Sequence, residues 1–70
     1  MPSPRFSEGD RVRVVHLDDE WVDADRWVLG EIGTVDGWHP KLAEWMVWIH
    51  TPGEPEATLW MFGDHEIASV

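Results

Sequence analysis

The stretch "EWMVWIH", residues 44–50, constrains the fold more than any other part of the chain. Side chains alternate between the two faces of a β-strand. Trp45, Val47 and Ile49 therefore share one face, and Met46, Trp48 and His50 share the other. Both faces carry apolar bulk, which places the strand in the interior of a sheet with at least partial cover on each side. Shorter runs of the same kind surround it. In "DRVRVVH" (10–16), Val12 and Val14 alternate with Arg11 and Arg13. "GEIGTV" opens a second strand over roughly 30–36, and Gly33 in its middle marks a bulge or bend that would let Ile32 and Val35 reach one core. "DGWHP" (36–40) reads as a turn: Asp36-Gly37 is a hairpin signal, and Pro40 ends pairing. "ATLWMF" (57–62) sets Trp60 and Phe62 against Leu59 and Met61. "GDHEIASV" (63–70) gives a tight turn and a last short strand, with Ile67 and Val70 turned inward. Five short strands joined by turns predict a small all-β barrel.

Residues 1–5, with Pro2 and Pro4, read as a flexible tail, and 6–70 as the single barrel domain, Phe6 being the first residue to pack. A chain of 70 residues buries only about 60% of the surface its unfolded form exposes. It has no cysteine, which excludes disulfides, thiolate metal sites and a redox pair. Six tryptophans offset the shortage of core. Each buries roughly 150–250 Å², about 4–6 kcal/mol of transfer free energy when fully covered. Trp45 is expected in the core, and Trp48 and Trp60 are expected as a cross-strand pair on the outer face.

The segments "GDRVRV" (9–14), "GEIGTV" (30–35), "EWMVWI" (44–49) and "FGDHEIASV" (62–70) together resemble SH3-like barrels of the bacterial accessory-subunit kind. The small barrel protein of photosystem I, the variable chain of ferredoxin–thioredoxin reductase and the C-terminal barrel of the nitrile hydratase β chain are examples. The resemblance implies a five-stranded SH3-like barrel with a long acidic loop between strands 1 and 2, folded over the barrel's side. It also implies a docking role. In peptide-binding SH3 domains that loop is acidic and flanks an aromatic groove for Pro-rich ligands with a basic anchor. The Ala-Leu-Tyr-Asp-Tyr and Trp-Trp marks of those domains are not in this sequence.

Residues 17–29 occupy the position of that loop. They hold Asp18, Asp19, Glu20, Asp23 and Asp25 with Trp21 and Trp27. Trp21, Ala24 and Val28 have helical spacing, and Asp18 is placed to cap such a turn. An indole face attracts a cation and carboxylates pair with arginine, so the segment suits a basic ligand. Trp38, in the 36–40 turn, would extend the surface. The alternative is that Trp21 and Trp27 fold back as a lid over an open barrel end.

Net charge is −9, fourteen acids against five basic residues, which disfavours direct binding to nucleic acid. It suits a partner with a basic surface, or imitation of nucleic acid in the manner of some phage-encoded inhibitors. His16, His39, His50 and His65 show no zinc spacing, and His65 reads as a surface turn residue. No metal site or cofactor is expected. No nucleophile, phosphate loop or coupled carboxylate pair points to catalysis. No apolar run spans a bilayer and "MPSPRFSEGD" lacks a signal core, so the expected setting is soluble and cytoplasmic, without a membrane partner. The expected function is a non-catalytic protein-binding module, with nucleic-acid mimicry or an accessory role in a larger enzyme as alternatives.

Overall fold

A computed structural model describes residues 5–70. The protein is all-β: five antiparallel strands form one sheet in the order β4-β3-β2-β1-β5. The strands are β1 (Arg11–Val14), β2 (Ile32–His39), β3 (Glu44–His50), β4 (Ala57–Phe62) and β5 (Ile67–Ser69). The only helical pieces among the described residues are short 3-10 turns at Asp23–Val28 and Asp64–Glu66.

Alternation in the sequence becomes alternation in space. In β1, Val12 and Val14 are buried and Arg11 and Arg13 exposed. In β3, Trp45, Val47 and Ile49 are buried, while Met46 is half-buried and Trp48 and His50 are exposed. Val35, Phe62 and Ile67 join them, and Leu17 and Val28 enter from the β1–β2 connection to complete the core with Phe6. Val70 does not turn inward: it is 69% exposed, just past the end of β5. Residues 1–4 of the expected tail lie outside the described residues. Arg5 is tied down, its guanidinium bonding the Asp64 carboxylate at 2.9 Å and lying over the Phe6 ring.

Strand β2 departs from expectation in two ways. Gly33 is regularly paired with Val12 and faces inward, so Ile32 is directed away from Val35 and no bulge joins them. Glycine is needed there for space: a Cβ at Gly33 would sit 2.6 Å from the Trp48 carbonyl oxygen and 2.6 Å from Val47 Cγ1. The bulge falls instead between Val35 and Gly37. The strand then runs through the expected 36–40 turn to His39, and the reversal occurs at residues 40–43, closing with Ala43 at φ 53°. One extra residue shifts the side-chain parity. Trp38 is thereby brought onto the face of its partner Trp45, their rings meeting edge-on at 5.0 Å.

Register also separates the two tryptophans expected as an outer pair. Trp60 lies opposite Val47, on the core side, while Trp48 lies opposite Leu59 on the outer side.

Candidate functional site

The β1–β2 connection, residues 15–31, is shorter than the long loop expected, since only 17 residues separate Val14 from Ile32, and it packs against the core. Val28 is fully buried, and Trp21 and Trp27 pack against the core cluster. Trp21 stacks on Phe62, centroids 5.3 Å apart and planes 15° from parallel, and meets Trp60 at 5.9 Å. Trp27 meets Trp60 edge-on at 5.8 Å. The helical spacing seen in the sequence appears as a 3-10 turn that begins after Val22, without a side-chain cap. Asp18 does not cap it, because the turn starts at Asp23, with Val22 in the capping position.

The anchor of this connection is Glu66, which is 3% exposed. Burying a carboxyl group is costly unless donors surround it. Here three N–H groups supply that need. The Trp21 indole donates to Oε2 at 2.9 Å and the Asp18 amide to the same oxygen at 3.2 Å. The Gly63 amide donates to Oε1 at 2.7 Å. The Glu66 carbonyl in turn accepts from the amides of Val15 and His16. One residue of the β4–β5 turn therefore fixes both the start of the connection and the orientation of the Trp21 ring. The sequence carried a signal for it: in "GDHE", a glutamate three residues after Gly63 has the spacing that lets its carboxyl reach back to the residue preceding a helical turn.

Glu20, Trp21, Val22 and Asp25 line a shallow, open depression of about 230 Å³. That is below the roughly 300–1,000 Å³ of small-molecule sites, and its scale suits one long side chain. Val22 and Leu29 on the same connection are 59% and 51% exposed. Of the other residues expected to bind, Asp19 and Asp23 are exposed, and Asp23 pairs with Arg26 at 3.6 Å. Trp27 lies behind, against Trp60. Trp38 is not in the depression; its ring meets Trp45, whose strand partner Phe62 is the one that Trp21 stacks on. The Trp60 indole N–H is the one buried side-chain polar atom among the described residues with no hydrogen-bond partner.

Asp18 belongs to a different constellation. His65 Nε2 lies 2.9 Å and 3.0 Å from its two carboxylate oxygens, and His16 Nε2 lies 3.1 Å from Oδ1. The two imidazole rings are 5.7 Å apart. The hydrogen bond with His65 is the main cause that holds the Asp18 carboxyl below its ordinary 3.8, against a smaller opposing effect of desolvation. The same bond raises His65 above its ordinary 6.5, with desolvation opposing and Glu66 and Asp64 adding. His65 is a surface turn residue as expected, but its ring has a partner. His16 and Asp18 lie 47 or more positions from His65, so no linear spacing could reveal the group.

Asp64, beside His65, accepts from the Trp45 indole at 3.0 Å and from Arg5. Desolvation pushes its carboxyl up, but these two donors together outweigh it and leave the carboxyl lowered. Among the described residues no helix is long and apolar enough to cross a membrane. No family model, curated protein or solved structure matches the chain.

Proposed function

We propose that this chain is a non-catalytic protein-binding module, an SH3-like barrel that docks on a basic or Pro/Arg-containing partner surface through its acidic β1–β2 connection. The strand order, with β1 between β2 and β5 and β3 between β2 and β4, supports the barrel reading. The observation that carries the docking reading is the depression beside Trp21, flanked by the side chains of Glu20 and Asp25. A guanidinium laid on the exposed part of the indole gains cation–π attraction and pairs with carboxylates at the rim. Trp21 needs no ordering on binding, since Glu66 and Phe62 already hold its ring. A preorganised anchor loses less entropy than a free one. The carboxylates steer a basic partner inward.

The lid role of Trp21 and Trp27 is compatible with docking. Their inner faces close the core, and what remains exposed of Trp21 is the contact surface. The test should therefore leave the rings alone. Glu20→Lys with Asp25→Lys reverses charge at the rim without touching the aromatic packing. Wild-type protein immobilised and exposed to lysate of its source organism should retain a partner that the double variant binds at least tenfold more weakly, with both proteins folded by circular dichroism. Equal retention by the two proteins would overturn the docking reading. Capture of a set of DNA-binding proteins, all released by moderate salt, would replace it with nucleic-acid mimicry.

A further inference from the structure

We propose that His16, Asp18 and His65 form a binding site for a single divalent transition-metal ion of the zinc class. Two imidazoles and one carboxylate are the donors such ions prefer, and a set of three leaves coordination positions open to water. Their ligand atoms all lie within 4.8 Å of one another. A tetrahedral ion with bonds of 2.0–2.1 Å needs donors about 3.3 Å apart. The present Nε2-to-carboxylate distances of 2.9–3.1 Å are short of that by a few tenths of an ångström. An ion can thus replace the bridging protons with small rotations of exposed side chains. His16 and His65 are 58% and 61% exposed, so such rotations meet little resistance and the ion can enter from solvent.

The backbone that carries these donors is held in place. The Asp18 amide donates to the Glu66 carboxyl at 3.2 Å, and Arg26 donates to the Asp18 carbonyl at 3.1 Å. The His16 amide donates to the Glu66 carbonyl at 3.3 Å, and His65 sits in the short turn that Glu66 closes onto Gly63. Glu66 is therefore a positioning residue for both halves of the site. Such supporting contacts are what make a surface cluster specific for an ion. The ion would join the β1–β2 connection to the β4–β5 turn, two segments far apart in the chain. A small domain without disulfides gains most from a staple of that kind. The metal site is separate from the docking surface, since neither histidine lines the depression beside Trp21.

The test is titration of Zn²⁺ into chelator-stripped protein near pH 7.5, followed by calorimetry and by histidine imidazole NMR signals. One equivalent should bind. The His16 and His65 signals should move together while those of His39 and His50 stay. At a hundredfold excess of free ion over Kd, Tm should rise by roughly 10–20 °C. His65→Gln and His16→Gln should each weaken binding at least tenfold, whereas His50→Gln should not. Shifts spread over all four histidines, an affinity unchanged in His65→Gln, or no saturable binding at millimolar zinc would overturn the proposal. The NMR readout uses wild-type protein, so it decides the matter even if a variant is poorly folded.

Discussion

Glu66 shows how much one side chain decides in a domain of this size. It is the only charged residue in the buried set among the described residues, and its carboxyl meets three N–H donors from three separate residues. Replacing it strands those donors, and each stranded buried donor costs about 1–3 kcal/mol. Glu66→Gln, which keeps one oxygen, is expected to cost about 1–3 kcal/mol and Glu66→Leu more, in a domain whose total stability is of the order of 5 kcal/mol. Urea unfolding measures both, and a Glu66→Gln protein as stable as wild type would refute the role given to it. Gly33 is the second such residue, for the opposite reason. The space its missing Cβ would occupy is already taken by the Trp48 carbonyl and the Val47 and Ile49 side chains. Gly33→Ala should lower stability by about 1–3 kcal/mol, as overpacking does, with no change in secondary structure. An unchanged unfolding midpoint would show that β3 gives way.

At the scale of elements, the β1–β2 connection and the β4–β5 turn behave as one unit joined by Glu66, Asp18 and His65. Their linkage gives the unit a pH window. Asp18, lowered chiefly by its bond with His65, contributes stability that is present above pH 3.8 and lost as pH falls through its folded value. Asp64 has the same sign. His65, raised chiefly by its bond with Asp18, contributes stability that is complete below pH 6.5 and lost as pH rises through its folded value. Metal-free protein should thus gain most from this contact between about pH 4 and pH 6.5. His65→Gln should flatten the decline on the alkaline side, and a variant with the wild-type profile would contradict the assignment. Strands β1, β3 and β4 were legible because each carries its own two-residue period. The end of β2 was not. Asp36-Gly37 is a strong local turn signal, but pairing with β3 absorbs it as a bulge and sets Trp38 on Trp45. The reversal falls on residues 40–43, whose last member, Ala43, carries no turn signature for its positive φ. The outer pairing of Trp48 with Trp60 failed for a related reason: parity within each strand was readable, but register between them was not.

Over the whole molecule, the sequence revealed a surplus of carboxylates and of tryptophan, but not how they are distributed. The fold divides them. Asp18 and Glu66 hold structure together, Glu20 and Asp25 border an open depression, and Trp21 belongs to both regions. The crowding of carboxylates and tryptophans into one connection was readable from residues 17–29 alone. The grouping of His16 with His65 was not, and of Glu66 only its reach back to Gly63 was readable, because the other contacts that give them meaning cross 45 to 48 positions of chain. Under the docking proposal, the depression beside Trp21 takes a cationic side chain from a partner. This is tested most directly by NMR titration of the ¹⁵N-labelled protein with a proline-rich peptide carrying one arginine, and with the same peptide carrying alanine instead. The expected result is saturable shifts of the Trp21 indole N–H and of the amides from Glu20 to Asp25 with the first peptide, absent with the second and little reduced by moderate salt. Shifts centred on the outer-face residues Trp48 and Leu59, or equal responses to the two peptides, would contradict it.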